Sequence, residues 1–319
     1  MLRWLSHYQV KPQPDLGELL RLIIKATPQS DEYSGKTILV AGASGQVGLN
    51  VIALALARGA RAIGLYNNNP VDFAHPRLVW QRTDLRAPGP LPSPAADVLI
   101  HTPPIWLLPN CLRHFASRGL ARIVVFSSTS IFGKGYSANP ADQAVVRALT
   151  AAEEQTEGLA AEMKLRLTIL RPTLIYGMGL DGNLTRMART IRNFGLLPVY
   201  GPAAGRRQPV QARDLAEAAL AAWPNPKTYG KVYNLGGGEI LTYRAMVERL
   251  FLHLGKVPRI LPLPLLPQLL DLFGALRPSA QVNGDIARRM NRDLTYDNEP
   301  AFQDFGYDPR GFLEGNVVI

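Results

Sequence analysis

The sequence predicts an α/β protein built on a doubly wound parallel sheet, with a smaller and mostly helical C-terminal cap. Three observations predict it. Short apolar runs alternate with helical patterns from about residue 36 to about residue 180, which implies βαβ units and a parallel sheet. The first of these runs leads directly into a glycine-rich turn that opens a helix. After about residue 180 the rhythm loosens, and 256–280 holds Pro258, Pro262, Pro264, Pro267 and Pro278, the mark of an irregular cap rather than another sheet layer.

The elements follow in order. Residues 1–35 form an N-terminal extension, in which Asp15–Thr27 carries Leu16, Leu19, Leu20, Ile23 and Ile24 at helical spacing. That helix either docks on the main domain or, being basic at its apolar edge, touches a membrane surface or partner through residues 15–26. Strands are expected at 37–40, 62–65, 78–80, 98–101, 123–126 and 167–170, and helices at 46–56, 106–118 and 140–162. Helices near 183–193, 213–222 and 242–254 then flank a strand near 231–235. At roughly 150 residues per domain, 319 residues suggest about two domains. These are a dinucleotide-binding unit over 36–180, joined by later segments near 205–238, and a substrate cap mainly over 181–319.

Composition narrows the classes. Hydrophobic residues make up 47% and charged residues 19%, enough apolar surface for a sizeable core. The net charge of +10 permits acidic ligands and selects none. No basic run with interleaved aromatics occurs, so a nucleic-acid partner is not expected. The single cysteine, Cys111, excludes an intramolecular disulfide and any multi-cysteine metal site, and fits a reducing, cytoplasmic setting. The histidines are scattered, so no metal is expected. The opening MLRWLSHYQV lacks a signal-peptide pattern, and no stretch reads as a membrane span.

The strongest motif is Ile38-Leu-Val-Ala-Gly42-Ala-Ser-Gly45-Gln-Val-Gly48. Glycines let the backbone turn tightly and approach a pyrophosphate, and the helix that follows offers unpaired N–H groups and the positive end of its dipole. The Gly-x-x-Gly-x-x-Gly spacing is accompanied by Asp84-Leu85, Val98-Leu-Ile-His101, Phe126-Ser-Ser-Thr-Ser-Ile-Phe-Gly133, Leu170-Arg-Pro-Thr-Leu-Ile-Tyr-Gly177, Arg207-Gln-Pro-Val-Gln-Ala-Arg-Asp-Leu215 and Val232-Tyr-Asn-Leu-Gly-Gly-Gly238. In this ordered set the chain resembles the extended short-chain dehydrogenase/reductase family, typified by NAD-dependent nucleotide-sugar epimerases and dehydratases. The resemblance implies a Rossmann-type fold that binds NAD or NADP through Gly42, Ser44, Gly45, Gln46, Val47, Gly48, Asp84 and Leu85, with Thr102 and Pro103 beside the cofactor. It also implies a small-molecule substrate such as a nucleotide-sugar, held by Arg171, Thr173, Tyr176 and Arg207, and a homodimer.

The family's chemistry uses a Ser or Thr with a Tyr and a Lys four residues apart on one helix. A tyrosine that works as a base near pH 7 needs its pKa lowered by about three units, or ~4 kcal/mol. A neighbouring ammonium supplies part of that shift. Ser128 aligns with the Ser/Thr, but Val145 stands at the Tyr position and Leu149 at the Lys position. No Tyr-x-x-x-Lys occurs in the chain. Tyr136 is a weak substitute; Asp142 and Arg147 are further polar neighbours, and His101 reads as structural. The cofactor choice is also open. NAD binders carry a carboxylate at the end of the second strand and NADP binders an arginine nearby. Here Tyr66 holds the acid's position and Asn67 follows, able to bond a ribose hydroxyl. Two readings remain: hydride transfer on a sugar-like substrate by a non-standard base, or a cofactor-binding accessory protein without turnover.

Overall fold

The computed structural model describes residues 15–87, 96–116, 119–137, 139–276, 282–315 and 317–319. Its centre is a seven-stranded parallel sheet in the order β11-β6-β5-β4-β1-β2-β3. The strands are β1 (Thr37–Ala41), β2 (Arg61–Tyr66), β3 (Leu78–Arg82), β4 (Val98–His101), β5 (Arg122–Phe126), β6 (Arg166–Pro172) and, returning late in the chain, β11 (Lys231–Leu235). β1 and β5 are buried along their whole length, as strands covered by helices on both faces must be.

Helices α1 (Leu16–Lys25), α2 (Gln46–Ala57) and α7 (Ala212–Ala222) cover one face. α3 (Leu108–Ala116) and α5 (Pro140–Glu162) cover the other. Every residue of α2 from Val47 to Ala57 is buried, because the helix lies between the sheet, α1 and α7; an all-apolar helix is stable only in such a place. α5 starts where Pro140 sits in its first turn and the Asn139 side chain accepts from Ala141 N.

A third core gathers residues from Tyr176 to Ile319. It contains α6 (Leu184–Phe194), α8 (Tyr243–His253), α9 (Leu266–Leu276), α10 (Asp285–Arg288) and three two-stranded pairings. Those pairs are β7 (Ile175–Tyr176) with β10 (Val210–Gln211), β8 (Leu197–Val199) with β13 (Ile260–Pro262), and β9 (Arg206–Arg207) with β12 (Leu241–Thr242). The short α4 (Ser130–Gly133) follows β5, and α11 (Glu299–Phe305) packs near β11.

One expectation changes, and the structure takes one of the two readings of the N-terminal helix. The 256–280 segment is more ordered than its prolines suggest: it supplies β13 and the eleven-residue α9. Pro267 falls in the first turn of α9, where a missing N–H costs nothing, and Pro262 and Pro264 precede the helix. The N-terminal helix spends its apolar face on the core. Leu16 and Leu20 are buried and Leu19, Ile23 and Ile24 pack against them. A Cβ on Gly17 would lie 2.1 Å from Asp72 O, so the seat is tight. Leu22 alone of the helix's large apolar side chains stays mostly exposed, at 56%. The stretch read for a signal peptide lies outside the described residues, among which no helix is long and apolar enough to cross a membrane.

Candidate functional site

The sheet order reverses between β1 and β4, and clefts form outside the carboxyl ends of strands at such a point. Ala41 pairs with His101 at this edge. Gly42 then turns with φ +72°, where a Cβ would lie 2.6 Å from Thr102 Oγ1 and 2.8 Å from Pro103 Cγ. Thr102 fastens the turn: its N–H and hydroxyl both donate to Ala41 O, at 3.1 and 2.9 Å. Gly45 N donates to Gly42 O at 2.9 Å, and Gly45 caps α2 with no side chain over the helix N-terminus. Gly48 is needed for packing, since its Cβ would meet Gly42 O at 2.3 Å. Ser44 and Gln46 remain partly accessible, while Val47 is buried. Gln46 Oε1 is buried at the start of α2 with no hydrogen-bond partner. A helix N-terminus with no side-chain cap, and a turn in which Gly42 and Gly48 leave no room for a Cβ, fit the diphosphate end of a dinucleotide.

At the adenosine end, Tyr66 stands edge-on to Trp80, with ring centroids 6.4 Å apart. Arg82 is the cross-strand partner of Tyr66, and its Nε donates to Asn67 O at 3.1 Å. Asp84 is exposed and accepts from Arg86 N at 3.0 Å and from Arg86 Nε at 3.1 Å. Those bonds, the backbone one foremost, hold its pKa below the usual carboxylate value. Leu85 is buried beside it. Thus Tyr66 and Asn67, at the end of β2, have the Arg82 guanidinium beside them. Arg82 was not among the sequence candidates because it follows the apolar run Leu78–Trp80; the parallel register of β2 and β3 is what brings it to Tyr66.

The opposite end carries the expected Ser128, whose Oγ accepts from Ser130 N at 3.1 Å. Val145 is half-buried and packs on the α3/α5 core, and Leu149 is 3% exposed within it. One turn earlier on α5, buried Asp142 accepts from Lys134 Nζ at 2.9 Å, Arg289 Nη1 at 2.6 Å and Ser137 Oγ at 3.1 Å. Lys134 therefore holds an ammonium beside the helix that lost its lysine. Its sequence signal is the Gly133-Lys134 that ends the Ser-Ser turn.

Other candidates are placed elsewhere. Tyr136 is 83% exposed, with the Arg292 guanidinium 6.0 Å over its ring, so it faces solvent. Arg171 is spent on Glu153, bonding Oε1 at 2.9 Å through Nε and Oε2 through Nη2, and lies over the Phe132 ring. Arg207 is buried and donates to the carbonyls of Arg206, Arg292 and Arg289; burial pushes its pKa down to about 10. Tyr176 is fully buried, its hydroxyl accepting from Leu313 N at 2.9 Å, and burial raises its pKa to about 12. Thr173 donates to Gln208 O, and Arg147 is exposed on α5. Arg171, Arg207 and Tyr176, expected to grip substrate, thus have intramolecular partners here: Glu153, three backbone carbonyls and the backbone at Leu313.

A cavity of about 600 Å³ opens instead between Tyr200, Gly201, Pro202, Ala204, Pro262, Pro264 and Asn291. Asn291 builds its wall, donating to Tyr200 O at 2.8 Å and accepting from Ala204 N at 3.2 Å. A tyrosine and three prolines line it, a surface suited to a flat ring.

His101 has a separate consequence. It is fully buried, neither ring nitrogen has a hydrogen-bond partner of full geometry, and burial lowers its pKa from 6.5 to about 4. At pH 5 the unfolded chain binds a proton that the folded chain refuses. Stability is therefore lost as pH falls from about 6.5 to about 4, by roughly 3 kcal/mol. Urea unfolding near pH 7 and near pH 4.5 should show this loss, and His101→Leu should remove most of it. An unchanged pH dependence in the variant would refute the assignment.

Residues 108–236 match the model of the NAD dependent epimerase/dehydratase family. The UDP-glucose 4-epimerase of Vibrio cholerae is 24% identical over 215 residues, covering 64% of this chain and 63% of that one. The mitochondrial NADH dehydrogenase [ubiquinone] 1 alpha subcomplex subunit 9 of Arabidopsis thaliana is 30% identical over 179 residues, covering 52% of this chain and 43% of that one. The chain thus spans under two thirds of either relative's length. Among solved structures, the epimerase Mth375 from Methanothermobacter thermautotrophicus superposes with a TM-score of 0.66 at 17% identity, over 96% of this chain and 94% of that one, which is a likeness of fold. The glycine turn, the sheet order and these matches together support an extended short-chain dehydrogenase/reductase of the NAD-dependent epimerase/dehydratase kind.

Proposed function

We propose that this protein holds NADP or NAD in the glycine-loop cleft and does not run the family's tyrosine–lysine proton transfer. One observation carries the reading: the cradle at Gly42, Gly45 and Gly48 is intact, whereas the lysine position is occupied by Leu149, sealed in the core. The α2 N-terminus and the amides of Ser44 to Val47 bind the pyrophosphate, and Thr102 and Pro103 hold the loop in shape. Bound nicotinamide supplies a hydride donor or acceptor. Neither Val145 nor Leu149 can move a proton beside it, and the Ser128 hydroxyl is too weak an acid to do so alone. Likeness to a subunit named for NADH dehydrogenase fits a holding role of this kind.

A second reading is favoured by a different observation. The cavity at Tyr200, lined by a tyrosine and three prolines, is a seat that the ring of a sugar-like or nucleotide-sugar substrate would fit. Turnover by this route would show as a change in nicotinamide absorbance with a candidate sugar nucleotide, and would be lost in Ser128→Ala.

The direct test is calorimetric titration of the stripped protein with each dinucleotide. The guanidinium of Arg82 beside Asn67, and the absence of a carboxylate at Tyr66, favour the 2′-phosphate. We expect NADP to bind more tightly than NAD. Arg82→Glu should weaken NADP about tenfold or more, the size of one lost charge-assisted contact of ~1.5–3 kcal/mol, and NAD by less than about threefold. Equal losses for the two would refute the role of Arg82. No binding of either dinucleotide would refute the holding function.

A further inference from the structure

α9 presents four leucines at helical spacing on one face. Leu265, just before the helix, is 64% exposed, Leu269 47%, Leu272 59% and Leu276 73%. Residues four, three and four apart share a side of a helix, so these side chains form one stripe. The helix is fixed from its other side. Leu266 is buried and Leu270 packs on the third core. Gly274 abuts Val282 O, which a Cβ would meet at 2.0 Å. Asp271 accepts from Gly284 N at 2.6 Å and pairs with Arg288 at 3.2 Å. Among the described residues nothing covers the stripe, and Leu252, Val257 and Leu261, earlier in the chain, are exposed as well.

The charges beside this stripe select what it meets. From Leu252 to Leu276 the chain carries His253, Lys256 and Arg259, and one acid, Asp271. Asp271 is occupied by Arg288 and Gly284. A second copy would bring the same cations against themselves, with no free carboxylate on the strip to meet them and a net charge of +10 on each chain. An anionic bilayer offers what the strip lacks: negative charge for Lys256 and Arg259, and an apolar boundary for the leucines.

We propose that the leucine face of α9, flanked by Lys256 and Arg259, docks this protein on an anionic lipid surface. The helix lies in the interface and does not span it. Pro262 and Pro264 lie on the segment that leads into α9 and wall the cavity at Tyr200, so docking places that cavity beside the membrane. The inference stands whether or not the cleft holds a dinucleotide.

Sedimentation of the full chain with vesicles tests it, using phosphatidylcholine alone and phosphatidylcholine mixed with phosphatidylglycerol. The protein should sediment with the anionic vesicles and stay in solution with the neutral ones. The double substitution Leu269→Glu and Leu272→Glu changes exposed positions, and should lower the partition coefficient about tenfold or more while leaving the melting temperature unchanged. Lys256→Glu with Arg259→Glu should weaken binding in the same direction and remove its salt dependence. Failure of the unaltered protein to bind anionic vesicles would overturn the proposal, as would undiminished binding by the leucine variant. A dimer that the leucine variant dissociates, without vesicle binding, would assign the face to a second copy and overturn it too.

Discussion

Gly45→Asp is expected to abolish dinucleotide binding and leave the fold as stable as before. The position separates the two effects. Gly45 has φ −84° and ψ 165°, ordinary extended backbone. An added Cβ meets nothing closer than Gly42 O at 3.2 Å, a contact that small shifts relieve. An aspartate at a helix N-cap is even favourable by a few tenths of a kcal/mol relative to glycine. The same carboxylate would lie over the bare N-terminus of α2, where the pyrophosphate must sit. Like charge at close range, together with the lost N–H groups, should cost about 3 kcal/mol or more, or over a hundredfold in affinity. Calorimetry and a thermal melt check the two halves. Unchanged affinity would remove the glycine loop from the site. Loss of the melting transition would mean that Gly45 serves the fold instead. Gly48→Ala is the contrasting case, since its Cβ would meet backbone at 2.3 Å and should destabilise the turn itself.

Leu149→Ala should cost about 2–5 kcal/mol of folding stability, as for other fully buried leucines, and change dinucleotide affinity by less than about threefold. Leu149 belongs to the core beneath α3 and α5, with Ile105, Leu108 and Leu112 in the same cluster, and that cluster cannot collapse cheaply around a cavity. Urea unfolding gives the first number and calorimetry the second. A loss below about 0.5 kcal/mol would mean that Leu149 is not sealed in the core. The prediction also explains why the helix survives without its catalytic pair. Once no charge has to be desolvated at 149, an aliphatic side chain packs there at no electrostatic cost.

Much of the architecture was legible in the residues. Buried parallel strands need apolar runs such as Ile38–Ala41 and Ile123–Phe126, and those runs can be read directly. The glycine turn was legible because φ near +72° at Gly42 and close packing at Gly48 admit no other residue cheaply. The absence of a tyrosine–lysine pair was legible as well, since a Tyr-x-x-x-Lys spacing can be sought along the chain directly. The helix at 266–276 was not, because its prolines signal a break unless one knows that Pro267 falls in the first turn.

Side-chain occupation was the part that only the tertiary structure decided. A sequence shows that Arg171, Arg207 and Tyr176 can bind an oxyanion or a hydroxyl, but not that Glu153, three backbone carbonyls and Leu313 already hold them. Arg82 comes to lie beside Tyr66 only through the register of β3 on β2. The N-terminal helix and α9 are both amphipathic, yet one turns its apolar face onto α2 and the other leaves a leucine face outward. The physical reason is common to all three. Periodicity and spacing are local properties of a chain, whereas a polar group or an apolar face is free or satisfied according to neighbours that are remote in sequence. The sequence by itself determined the sheet, the glycine cradle and the missing proton-transfer pair; folding decided which of the remaining groups are left to meet a ligand.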